Sequence, residues 1–142
     1  DGMLMACWMA GLAFTQARLG NVHAMAHPVG GHFNVPHGVA NAIILPVVMS
    51  YNAPAAAAKY ARIAAAMGHR GSGNEAQDAA AAVTLVRQLS ERIGIPASLS
   101  AVNVPRAGIP ALAADAMQSG NIAINPRPTT HEDMVRLYEQ CM

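Results

Sequence analysis

The chain opens on a helical pattern that is apolar on every face. From Met3 to Leu19 it lacks the polar stripe of a surface helix, and Gly20 ends the segment. Asn21 to His27 forms a short second helical segment, which Pro28 and the Gly30–Gly31 pair are expected to stop. Val29 to Pro36 then reads as a loop. Helix resumes near His37 and runs through Ala40 to Leu45, with Pro46 bending or ending it.

Further along, polar and apolar positions alternate in more conventional ways. Asn52-Ala53-Pro54 opens an alanine-rich helix reaching Met67, which Gly68 closes. His69 to Gly73 is polar and glycine-rich, like a linker. Asn74 with Gln77 resembles a capping box for a helix reaching Ile93, where Val83, Val86, Leu89 and Ile93 form an inward stripe. After an irregular stretch from Ile95 to Arg106, Pro110 starts a short helix running to about Ser119. Gly120 to Pro128 is a second loop. Thr129 with Glu132 predicts another capping box, opening a last helix that turns Met134, Leu137 and Tyr138 inward. No span alternates with period two, so the fold class is all-α, without repeats.

Composition sharpens this picture. Apolar residues make up 53% of the 142 positions and charged residues 12%, while aromatics reach only 4%, which favours closely packed helices over a sheet. Between Gly2 and Ala58 the sole charged side chain is Arg18. Glycines, prolines and histidines break that stretch into apolar runs shorter than the roughly 20 residues of a bilayer span, so no membrane partner is expected. It reads instead as helices buried on nearly every side, with Trp8 and Met25 in the core. A lone small domain has too little interior for that, and the chain starts at Asp1 with helix already under way. The expectation is therefore an incomplete helical unit, residues 1–142, that belongs to a larger chain or packs against one. A net charge of +1 points to no nucleic acid. Cys7 and Cys141 lie in no metal or redox spacing, so a reduced, cytoplasmic setting is expected.

Candidate chemistry concentrates in four histidines between positions 23 and 37. His23 and His27 are one helical turn apart and project from one face, where neutral imidazoles can bind a divalent metal. His37 follows the Pro28–Gly31 break, and a chain reversal there would aim it at the same point. A lone buried histidine is more often a hydrogen-bonded core residue, but four within fifteen residues favour a site. Catalytic metal sites commonly add a carboxylate. None of the eight acidic residues lies near the cluster in sequence, so by residue count the site is incomplete.

The stretch Gly20-Asn21-Val22-His23-Ala24-Met25-Ala26-His27-Pro28-Val29-Gly30-Gly31, continuing as Pro36-His37-Gly38-Val39-Ala40-Asn41-Ala42 and Leu45-Pro46, resembles the iron-containing alcohol dehydrogenases. Met67-Gly68, Gly94-Ile95-Pro96, Ile109-Pro110 and Asn125-Pro126-Arg127 follow in the order of that family's C-terminal region. The resemblance implies the all-helical C-terminal domain of the dehydroquinate synthase-like and iron-containing alcohol dehydrogenase type. It also implies an N-terminal NAD(P)-binding domain, absent from this sequence, and an Fe2+ or Zn2+ held in the cleft by an Asp and three His. His23 and His37 match the last two of those histidines. His27 matches a histidine beside the nicotinamide and substrate, and Phe14 a position lining the substrate pocket. His32 has no counterpart role and is expected to be solvated or to support the site from outside. His69 and His131 are expected to be exposed.

The implied activity is NAD- or NADP-dependent interconversion of small alcohols with aldehydes or ketones. The implied enzyme is a homo-oligomer, and this chain alone is expected to be inactive without the missing N-terminal part or another copy. Other readings of the same residues are a maleylacetate reductase, a hydroxyacid-oxoacid transhydrogenase, or a non-catalytic helical interaction module. A helical metal-storage or sensor protein fits less well, because the carboxylates such proteins bring on neighbouring helices are missing.

Overall fold

The computed structural model describes residues 1–142 and contains helices and turns only. Seven α-helices follow in order: α1 (Gly2–Ala17), α2 (Asn21–Phe33), α3 (His37–Asn52), α4 (Ala57–Ala66), α5 (Glu75–Arg92), α6 (Ile109–Met117) and α7 (His131–Gln140). Short 3-10 turns lie at Ala53–Ala55, Ser100–Val102, Arg106–Gly108 and Ile122–Ile124.

The main core is built by α2, α3, α6 and α7. Met25 and Val29 from α2, Ile44 and Val48 from α3, Leu112 and Ala116 from α6, and Met134 and Tyr138 from α7 meet there, sealed by Leu99 and Val104 from the irregular segment. A smaller cluster of Met49, Ala64, Ala82 and Val83 joins α3, α4 and α5. Alanines at the crossings let these helices approach closely, as the composition implied.

The expectation that Pro28 stops its helix is overturned, and of the two expectations for Pro46 the one that it ends its helix is excluded. Helix α2 runs through Pro28, Gly30 and Gly31 to Phe33, and α3 runs through Pro46 to Asn52. Each proline removes one helical hydrogen bond, and each glycine costs about 1 kcal/mol of helix propensity. Burial on both sides of the prolines outweighs that cost: Met25, Ala26 and Val29 in α2, and Ile43, Ile44, Val47 and Val48 in α3, are all within the core. The loop predicted at Val29–Pro36 therefore shrinks to residues 34–36. Asn34 ends α2 in the left-handed region (φ 54°), where its N–H bonds the Gly30 carbonyl, and Pro36 is extended before α3.

The first helix is the largest correction. None of its residues is buried, and Trp8, assigned to the core from sequence, is 60% exposed. Its apolar faces have no partner helix in this chain, which is the physical reason that a sequence apolar all round does not become a central helix here. On α5, Val83 is buried, but Leu89 and Ile93 at the C-terminal end of the predicted stripe are exposed, because the contacts of α5 with α3 and α4 cover its earlier turns.

The caps are shifted by one residue or simplified. Thr130, not Thr129, caps α7: its hydroxyl accepts from the Asp133 N–H, and the Asp133 carboxylate accepts from the Thr130 N–H. Asn74 caps α5 by accepting from Ala76 and Gln77 N–H, without a return bond from the Gln77 side chain. His37–Ala55 is long and apolar enough to cross a membrane, but it carries the core residues just named and is 44% buried within the fold.

Candidate metal centre

The tight corner at residues 34–36 reverses the chain, so that the start of α3 lies beside α2. Consequently His37 returns to His23 and His27. The His23 and His37 ring centres are 5.3 Å apart, those of His27 and His37 5.4 Å, and those of His23 and His27 6.1 Å. Helical spacing by itself pairs His23 with His27; the fold places His37 nearer to each than they are to one another.

Burial differs within the trio. His23 is half-buried, while His27 and His37 are exposed. Burial, and after it the proximity of His37 and His27, holds the His23 pKa below its ordinary 6.5. At His23 this favours the neutral imidazole, the form that donates a lone pair to a metal. No three His, Cys, Asp or Glu side chains close on one point as a metal-ligand group. The imidazoles fit a divalent transition metal in donor type, and by number they are fewer than a whole coordination sphere needs.

His32 does not join the trio. Its Nε2 lies 2.6 Å from the Asp115 carboxylate on α6, with both side chains substantially exposed. The two residues line a cleft of about 420 Å³ together with His27, Pro28, Gln118 and Ser119. Asp115 was invisible to sequence reasoning about this region, because it stands 83 residues from His32. His131 is exposed, as expected, whereas His69 is partly covered and bonds Asp78 at 2.9 Å. Phe14 is 49% exposed on α1.

Asn41 is a residue near the centre that spacing did not single out. Lying one turn after His37, it donates from its amide to the His37 carbonyl at 3.0 Å and lies 2.8 Å from His37 Nε2. A deeper amide network anchors the start of α2. Asn125 Oδ1 accepts from the Asn21 N–H and from Asn52 Nδ2, and Asn125 Nδ2 donates to Asn52 Oδ1 and the Arg127 carbonyl.

Residues 1–142 match the sequence model described as Fe-containing alcohol dehydrogenase family, C-terminal. The chain belongs to the iron-containing alcohol dehydrogenase family. Among curated members it is 46% identical to the lactaldehyde reductase of Escherichia coli (strain K12) over 139 residues, which is 97% of this chain and 36% of that protein. It is 42% identical to the 1,3-propanediol dehydrogenase of Citrobacter freundii over 141 residues, 99% of this chain and 36% of that one. The NAD-dependent methanol dehydrogenase of Bacillus methanolicus is 31% identical across all of this chain and 38% of its own length. Family structures superpose closely. A 1,3-propanediol oxidoreductase gives a TM-score of 0.91 at 40% identity over 94% of this chain and 35% of that chain. An alcohol dehydrogenase from Oenococcus oeni gives 0.90 at 37% identity, with 94% of this chain and 35% of its own covered. The chain thus spans little more than a third of the length of these family members.

Proposed function

We propose that this chain forms the metal- and substrate-facing helical wall of an NAD(P)-dependent, metal-dependent alcohol dehydrogenase. The observation that carries the proposal is the convergence of His23 and His37, from two helices, within 5.3 Å in a setting that keeps His23 neutral. His23 and His37 hold Fe2+ or Zn2+ on this reading, and the rest of the enzyme supplies the remaining ligands and the NAD(P) site. Such a metal provides Lewis acidity at the alcohol or carbonyl oxygen, and the nicotinamide provides the hydride acceptor or donor.

The protein's own contribution follows from placement. His27, one turn after His23 on α2, has its ring centre 6.1 Å from that of His23 and 5.4 Å from that of His37, and it also lines the cleft shared with His32 and Asp115. On this reading His27 orients the substrate oxygen and passes its proton to solvent. The nearly uncharged surface of α1, α2 and α3 excludes water from the reacting atoms once the centre is covered, which strengthens every charge interaction there. Phe14 contributes an apolar contact for the substrate carbon chain. The relatives named above act on short alcohols, diols and aldehydes by their names, and a small alcohol or aldehyde is the proposed substrate class.

The test uses the full-length protein. Zn2+ or Co2+ affinity and NAD(P)-linked oxidation of short alcohols are measured for wild type, H23A, H37A and H27A. The expected result is loss of metal in H23A and H37A, and retained metal with reduced kcat in H27A. Full metal affinity in both H23A and H37A refutes the assignment. The 142-residue chain alone is expected to turn over no alcohol.

A further inference from the structure

We propose that the cleft between α2 and α6 is a hydroxyl-binding subsite beside the reacting centre, in which Asp115, held by His32, accepts a hydrogen bond from a second hydroxyl of the substrate. This subsite presupposes the reading of His23, His37 and His27 as the reacting centre, and it adds the far end of the substrate to that reading.

The position follows from α2. His23 and His27 form one strip of the helix, and Ala24, Pro28 and Gly31 form the strip next to it, which lines the cleft. His27 borders both, since its ring centre is 5.4 Å from that of His37 and it lines the cleft as well. A substrate whose reacting carbon lies at the histidine trio therefore has the cleft as neighbouring space for the rest of its chain. At about 420 Å³ the cleft is within the size range of small-molecule sites.

The polar lining decides what that chain carries. Asp115, Gln118 and Ser119 come from α6 and the turn after it, and His32 comes from α2. His32 Nε2 engages only Oδ2 of Asp115, at 2.6 Å, which leaves Oδ1 as an acceptor. The Ser119 hydroxyl accepts from the Asn121 N–H and keeps its own proton to donate. The Gln118 amide adds a donor and an acceptor. A hydroxyl both donates and accepts, so it matches an acceptor and donors set together. An anion would face the Asp115 carboxylate, and an alkyl chain would strip water from these groups without replacing its hydrogen bonds. A cation would find a single carboxylate that His32 already engages.

As a brace the His32–Asp115 contact is weak, because the two side chains are 44% and 50% exposed and water screens them. What the contact fixes is the direction of the carboxylate: with Oδ2 held, Oδ1 no longer turns freely. Asp115 is thus a specificity-determining residue, and His32 is a positioning residue acting through it.

The full-length protein tests this with two pairs of alcohols that differ by one remote hydroxyl: 1,3-propanediol against 1-propanol, and 1,5-pentanediol against 1-pentanol. Counted per reactive end, wild type is expected to oxidise the diol with about three- to tenfold higher kcat/KM in at least one pair, with the gain in KM. D115A is expected to remove that preference and H32A to reduce it. Wild type without a diol preference in either pair overturns the proposal, and no variant has to fold for that result. A preference that survives D115A, as it would if both alcohols of a pair lost activity equally, overturns it too. A preference kept in full by H32A refutes the positioning role of His32 alone. Failure of the metal- and NAD(P)-loaded wild type to oxidise any of the four alcohols refutes the functional reading beneath the proposal, an outcome distinct from oxidation without diol preference.

Discussion

The Tyr138 hydroxyl in α7 donates to the Met25 carbonyl in α2 at 2.8 Å, and both residues are completely buried. The last helix is thereby bonded to the middle of the helix that carries His23 and His27, across 113 residues of sequence. Burial also raises the phenol pKa far above its ordinary 10, so the hydroxyl remains a donor throughout the working pH range.

Tyr138→Phe keeps the ring in the core and deletes only this bond. The expected loss is about 0.5–1.5 kcal/mol of stability, with the fold intact. Tyr138→Ala is expected to cost about 3–5 kcal/mol through the cavity it opens. Urea denaturation of the two variants in parallel checks both figures, and a Phe variant as damaged as the Ala variant would contradict them.

Asn125 is the hub that fixes the start of α2. Asn125→Ala strands the Asn52 amide and the Asn21 N–H in the interior, with an expected cost on the order of 3 kcal/mol. Gly20→Ala attacks the same hub from the other side, because an added Cβ would meet Asn125 Oδ1 at 2.9 Å. If the clash and the hub are one system, the two substitutions are less than additive, which a double-mutant cycle reads directly.

His32 and Asp115 form a contact of 2.6 Å between two largely solvated side chains. Water screening limits such a pair to about 0–1 kcal/mol. His32→Ala is therefore expected to leave the melting temperature nearly unchanged. A loss above about 2 kcal/mol would show that the pair braces α2 against α6 more firmly than its exposure allows.

Asp133 gives the stability a defined acid limb. Hydrogen bonds from the Thr130 N–H and hydroxyl, then the nearby Arg136, hold its carboxyl well below the ordinary 3.8. A carboxylate with a depressed folded pKa contributes stability that is complete above its unfolded pKa. That contribution falls away as pH drops below 3.8 towards the folded value. Asp133→Asn is expected to lower stability at neutral pH and to flatten the part of the acid-unfolding curve below pH 3.8. An acid limb as steep as in wild type would assign it to another carboxylate.

Much of this protein is decided locally and can be read from its sequence. The all-helical class follows from alanine-rich segments without period-two alternation, and the helix starts at Asn21, His37 and Glu75 follow from breakers and caps. The histidine motif and the residues around it point to the family by sequence alone. Helix continuation is not local. Pro28 and Pro46 are breakers by propensity, and only the core contacts of Met25, Val29, Ile43 and Val47 outweigh them. The same dependence explains the first helix: its apolar faces are plain in the sequence, but whether they are buried depends on a partner, and this chain brings none to it. The centre is divided in the same way. Helical spacing sets His23 beside His27, whereas His37 reaches them through the three-residue corner at 34–36, and Asp115 reaches His32 through the packing of α6 on α2. Sequence spacing determines which residues share a helical face. Which faces meet is decided by the burial that the whole chain achieves, and that exists only in the folded structure.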